Sequence, residues 1–126
     1  MKTVLVVDDE YGIVEVVVLA LEDEGYRVIA AADGQQGLER LGESRPDLVL
    51  LDFMMPRLDG PALAKAIRAN PALRKTPIVI MSAVGEAVVR ERFSGYTAFL
   101  RKPFRVRAML DLVTRLIGPG ADEAEA

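Results

Sequence analysis

Asp47–Gly60 reads DLVLLDFMMPRLDG. The apolar run Leu48–Leu51 stops at a carboxylate, Asp52, and a turn bearing Pro56 and Gly60 follows. A short, wholly apolar run bounded by turn signals fits a strand buried on both faces. Strands of that kind belong to parallel sheets covered by helices on each side. The same unit recurs along the chain. Upstream, Thr3–Val7 (TVLVV) leads into Asp8-Asp9-Glu10, and Arg27–Ala31 (RVIAA) precedes Asp33-Gly34. Downstream, Ile78–Met81 (IVIM) stops at Ser82, and Ala98–Leu100 (AFL) at Arg101-Lys102-Pro103.

The intervening stretches have helix length. Gly12–Glu24 carries Val14, Val16, Val17 and Val18, which favour a strand by propensity. Its length, its polar end at Glu22-Asp23-Glu24 and the stop at Gly25 favour a helix, and a parallel pair needs a crossover. Helices are also expected over 35–42, 61–69 (with Pro61 at its first position), 86–93 and 106–117. Strands alternating with helices predict a (βα)5 doubly wound α/β fold. The flavodoxin-like strand order 2-1-3-4-5 is the candidate, and ligands there sit at the switch point outside the strand C-termini. Residues 1–117 form the expected domain, and 118–126 (GPGADEAEA) an acidic tail that frays.

Composition excludes several chemistries. The chain has 126 residues, no cysteine and no histidine. Disulfides, thiolate metal sites and Ser–His or Cys–His catalysis are therefore out. Any metal must sit on oxygen, which selects Mg²⁺, Mn²⁺ or Ca²⁺. The net charge of −3 gives no general pull toward nucleic acid. Neither a signal peptide nor an apolar run of membrane length is visible, so a cytoplasmic chain with no membrane contact is expected.

The predicted strand order gathers the strand-end residues Asp8, Asp9, Asp52, Ser82 and Lys102 on one rim. Carboxylates that close repel unless a cation joins them. Mg²⁺ takes few carboxylates and keeps water or phosphate oxygens as its other ligands. Lys102 adds a mobile positive charge and Ser82 a hydroxyl donor. Such a site suits phosphoryl transfer to a carboxylate, which is mostly positioning and charge neutralisation.

At these residues the sequence resembles the receiver domain of bacterial two-component response regulators. VLVVDDE, DGQQGL, DLVLLDFMMPRLDG, PIVIMSA and AFLRKPF occur in the family's order, across about residues 2 to 117. The resemblance implies Asp52 as phosphoacceptor, accepting from a sensor histidine kinase or a histidine phosphotransferase. It implies Mg²⁺, with Mn²⁺ able to substitute, held by Asp8, Asp9, Asp52 and the main-chain carbonyl of Met54. Asp9 would be the more direct ligand of the acidic pair. It implies Ser82 and Lys102 on the phosphoryl group, Phe99 as the aromatic that turns inward with Ser82, and a cis Lys102–Pro103 bond. The product of the chemistry would be the chain itself, so an enzyme is not expected. A downstream protein partner is, and either a monomer or a weak phosphorylation-dependent dimer.

Tyr11 stands where the family often has proline or another polar residue. Ser82 to Lys102 is a residue or two shorter than the pattern, and Ser94-Gly95-Tyr96-Thr97 replaces its Gly-Ala-acidic run. That region forms helix 4 and the output face in the family. Met54 and Val84, both apolar, flank the attacking water there, which implies slow self-dephosphorylation. Three other readings stay open. An aspartyl phosphatase would want a second carboxylate at Met54. A flavin module would meet repulsion from Asp8-Asp9-Glu10. A receiver-like adaptor would act by contact alone.

Overall fold

The computed structural model describes residues 1–121. Its elements alternate strictly: β1 (Thr3–Val7), α1 (Tyr11–Asp23), β2 (Arg27–Ala31), α2 (Gly34–Ser44), β3 (Leu48–Asp52), α3 (Gly60–Ala69), β4 (Ile78–Ser82), α4 (Glu86–Arg92), β5 (Ala98–Arg101) and α5 (Val106–Ile117). The strands form one parallel sheet in the order β2-β1-β3-β4-β5. This is the expected flavodoxin-like topology. The last three strands run one residue further than the apolar runs, because Asp52 pairs with Met81 and Ser82 with Arg101. The sheet ladder thus extends into the polar residues and holds them rigidly at the rim.

Side-chain alternation along each strand builds two cores. Val4, Val6, Leu48, Leu50, Val79 and Met81 face one side and meet Val17 and Leu21 of α1 and Met109 and Val113 of α5. Leu5, Val7, Val49, Leu51, Ile78 and Ile80 face the other, against Leu41 of α2, Leu63 and Ile67 of α3 and Val89 of α4. Burial on both faces explains why the central strands are apolar throughout. The valine-rich segment after Glu10 is helical, as the need for a crossover dictates. Only Val17 and Leu21 of α1 are fully buried, while Tyr11, Val16 and Leu19 are exposed.

Two aspartates set the starts of α2 and α3, one residue before the expected boundaries. Asp33 accepts from Gln36 N–H at 2.9 Å, and Asp59 from Ala62 N–H at 2.9 Å. Asp33 also pairs with Arg57 at 3.1 Å, which joins α2 to the loop after β3. Asp33→Ala is expected to cost about 1–2 kcal/mol, and Asp33→Ser clearly less because the serine still caps. Urea denaturation midpoints at unchanged slope would show it.

Of the expected tail, residues 118–121 lie against the body of the fold. Tyr26 donates its hydroxyl to the Gly118 carbonyl at 2.6 Å, and Lys2 N–H donates to the Gly120 carbonyl at 2.8 Å. Gly120 is buried, and a Cβ there would come within 2.5 Å of the Tyr26 nitrogen. Residues 122–126 lie outside the described residues. No helix among the described residues is long and apolar enough to cross a membrane.

Candidate functional site

The C-terminal strand ends meet where β1 and β3 lie side by side, the switch point of the sheet. Asp8 follows β1, Asp52 ends β3, Ser82 ends β4 and Lys102 follows β5. All three of Asp8, Asp52 and Ser82 are buried, at 1%, 5% and 2% exposure. Buried carboxylates of this kind need partners.

Lys102 is that partner. Its Nζ lies 2.8 Å from Asp8 Oδ2, 3.0 Å from Glu10 Oε1 and 3.2 Å from Asp52 Oδ1. The lysine hangs from a backbone held to the sheet, with Lys102 N–H donating to the Ser82 carbonyl at 2.8 Å. The Lys102–Pro103 peptide bond is cis. One carboxylate oxygen from each of Asp8, Glu10 and Asp52 lies within 4.8 Å of the other two. Asp8 also accepts from Glu10 N–H at 2.9 Å, which turns the chain so that residues 8 and 10 share the inner side. Asp9, between them, is exposed. Its side chain adds the smallest of the influences that raise Asp52.

Burial, reinforced by the negative charge of Asp8, pushes the Asp52 carboxyl up to about 7, against the pull of Lys102. Lys102 loses some of its charge preference to burial, but hydrogen bonds to Asp8 and Glu10 more than restore it and raise its pKa. The lysine therefore stays charged, while the phosphoacceptor candidate is poised close to neutral pH.

A cavity of about 100 Å³ opens over Asp52, lined by Glu10, Met54, Ser82, Ala83, Val84 and Lys102. Ser82 Oγ accepts from Val84 N–H at 3.0 Å. Arg101 Nε donates to the Ala83 carbonyl at 2.9 Å and so holds the same loop from outside. Met54 is exposed and Val84 half-buried. Phe99 is half-buried and packs on the α2–α3–α4 side, beside Ile80 in the sheet. Gly60 permits the return of the chain, since a Cβ there would lie 2.4 Å from the Asp52 carbonyl oxygen. A larger hollow, about 490 Å³, lies among Pro46, Asp47, Pro71, Arg74, Lys75 and Pro77, remote from these groups.

The structure thus brings Asp52, Ser82 and Lys102 together around one cavity, with Asp8 held against the same lysine, and sets Met54 on the cavity wall. Phe99 belongs to the neighbouring core. Sequence reasoning gave Glu10 no role, although it touches Lys102. No spacing signals it, because Glu10 comes round through the turn that Asp8 makes with the Glu10 N–H.

Residues 4–114 match the family model described as response regulator receiver domain. The phosphate regulon transcriptional regulatory protein PhoB of Pseudomonas aeruginosa is 37% identical over 98% of this chain and 56% of its own length. The transcriptional regulatory protein CseB of Streptomyces avermitilis is 37% identical over 97% of this chain and 54% of its own length. The chain spans about half the length of the curated relatives it matches. Among solved structures, the chemotaxis protein CheY4 of Vibrio cholerae superposes with a TM-score of 0.87 at 32% identity, over 92% of this chain and 98% of that one. The receiver domain of a sensor histidine kinase from Pseudomonas aeruginosa, with a magnesium ion coordinated in its active-site cleft, gives 0.86 at 32% identity, over 93% and 98%. With a fold shared almost end to end with these proteins and a family match across residues 4–114, the chain belongs to the response regulator receiver domains of two-component signalling.

Proposed function

We propose that the chain is a phosphorylation-dependent switch in the cytoplasm. It takes a phosphoryl group on Asp52 from a sensor histidine kinase or a histidine phosphotransferase, and passes a conformational change to a protein partner. The observation that carries this is the placement of Asp52. It is buried at the switch point, beside a permanently charged lysine, and opens on a cavity lined by a hydroxyl.

In the transfer, an Asp52 carboxylate oxygen attacks phosphorus. The P–N bond of the phosphohistidine breaks, an acyl phosphate forms on Asp52, and the imidazole leaves with the electron pair. Lys102 can follow the new charge because its Nζ already stands 3.2 Å from Asp52. Ser82 can donate its hydroxyl proton to a phosphoryl oxygen while its oxygen keeps the Val84 N–H. Phe99 then turns inward as Ser82 moves.

The donor set fits a hard divalent cation. Carboxylate oxygens of Asp8, Glu10 and Asp52 lie within 4.8 Å of one another, and like-charge repulsion from Asp8 raises Asp52. Asp8, Asp9, Asp52 and the Met54 carbonyl would hold Mg²⁺ or Mn²⁺. The bound ion supplies neutralisation of the charge gathered at phosphorus. The chain modifies only itself, so it is a switch and not an enzyme with turnover. A phosphatase reading is disfavoured by Met54, which cannot act as acid or base.

Intact mass after incubation with Mg²⁺ and a small-molecule phosphodonor tests the proposal. One added phosphoryl group, absent with a chelator, is expected. No added mass under any condition, candidate kinases included, would favour action by contact alone.

Hydrolysis of the phospho-form is expected to be slow. Met54 and Val84 wall the cavity and neither can orient a water molecule. Decay followed by intact mass should run well beyond seconds, and Met54→Asn should shorten it. A native phospho-form lasting only seconds would sink this idea.

A further inference from the structure

α4 is a helix of seven residues that buries only Val89. Little apolar packing holds it, so its polar contacts decide where it sits. Its first turn joins the site: Gly85 caps it directly after Val84, whose N–H rests on Ser82 Oγ. Its last residue, Arg92, reaches back to the other side of the site. Arg92 Nη2 lies 2.6 Å from Asp59 Oδ2, and its guanidinium stacks 5.5 Å from the centre of the Phe53 ring.

Both anchors are tied to Asp52. Phe53 is the next residue in the chain and is buried. Its N–H donates to the Met81 carbonyl at 2.9 Å, and its carbonyl accepts from Gly60 N–H at 3.2 Å. Asp59 is fixed as the cap of α3 through its other oxygen. Arg92 therefore grips a rigid part of the acceptor loop, and α4 spans the site with one end on Ser82 and the other on residues 53 and 59.

We propose that the Arg92 clasp on Asp59 and Phe53 is a brake on switching, which holds α4 in the position of the unmodified chain. This rests on the phosphoryl-acceptor reading of Asp52. A phosphoryl group on Asp52 draws the Ser82 hydroxyl toward it. Val84 N–H rides on that oxygen, so the first turn of α4 follows. A helix this short moves as one body, and its displacement pulls Arg92 away from Asp59 and the Phe53 ring. The clasp is thus stronger in the unmodified state, and by linkage its loss must favour the modified one.

The test uses the full chain with Mg²⁺ and beryllium fluoride, a stable stand-in for the aspartyl phosphoryl group. Binding is read by backbone amide NMR, and α4 mobility by amide hydrogen exchange. Arg92→Met keeps the stem and removes the charge. Asp59→Asn keeps the capping oxygen and places an NH₂ against the guanidinium. Each variant is expected to bind the analogue about fivefold more tightly than the native chain. Each should also speed exchange over 86–93 without changing exchange in the β-strands. Native-like affinity in both variants, with the native chain binding, overturns the brake alone. A native chain that binds no analogue overturns the phosphoryl-acceptor reading, and the brake with it.

Discussion

An Asp52→Asn chain is expected to accept no phosphoryl group and, at pH 8 in chelator, to be more stable than the native chain by roughly 2 kcal/mol. The first effect follows because an amide is no nucleophile toward phosphorus at neutral pH. The second follows from burial. The Asp52 carboxyl stands at about 7 in the folded chain against 3.8 for an ordinary aspartate. Below the lower value both folded and unfolded chains carry the proton, and the group favours neither. Between the two values the folded chain keeps a proton that the unfolded chain has lost, so stability falls as pH rises. Above about 7 the folded chain carries the full cost of a buried charge. Each tenfold change in proton affinity is about 1.4 kcal/mol, so about 4 kcal/mol is the ceiling, reduced because the amide gives up part of the contact with Lys102. Urea denaturation from pH 4 to pH 8 should show the gain growing with pH and nearly absent at pH 4. Added Mg²⁺ should shrink the gain by stabilising the native carboxylates. A gain independent of pH would mean that Asp52 is not held under electrostatic strain.

Lys102→Met should act in the opposite direction. The substitution keeps the apolar stem and removes the cation shared by Asp8, Glu10 and Asp52. Taking one partner from a buried ion pair costs about 3–5 kcal/mol, because the other charge stays buried. Glu10 is well exposed and water screens it, so the lower end, about 3 kcal/mol, is expected at pH 8 in chelator. The loss should fade as the pH is lowered and Asp52 takes up its proton. It should also fade with Mg²⁺, since a divalent ion replaces the missing charge. Combining Lys102→Met with Asp52→Asn should cost less than the sum of the separate effects, because the two groups are in contact. Additive effects would show that the contact contributes little.

The fold was legible because its signal is redundant. Five apolar runs, the central three buried on both faces, leave a covered parallel sheet as the economical arrangement, and right-handed crossovers then restrict the order. The valine-rich α1 is the instructive case. Its residues favour a strand, but a parallel β1–β2 pair cannot form without a crossover, and the global constraint overrides local preference. The helix starts were read one residue late at α2 and α3, because Asp33 and Asp59 act as caps and admit Gly34 and Gly60 to the first turn.

Which residues gather at the rim was also legible, since every polar strand end must fall there once the order is known. Asp8, Asp52, Ser82 and Lys102 needed only that step. The roles of neighbouring residues were not. Glu10 joins Lys102 because the backbone turns at Asp8, and Arg92 meets Asp59 and Phe53 across the gap between α4 and α3. Neither contact has a local spacing that announces it. By itself the sequence determined the sheet, its order and the set of groups at its switch point, because burial and alternation are properties of each segment. Only the tertiary structure decided which carboxylates share the lysine, how far burial lifts Asp52 and what clasps α4. Distances between segments far apart in sequence set those energies, and they exist only once the chain has folded.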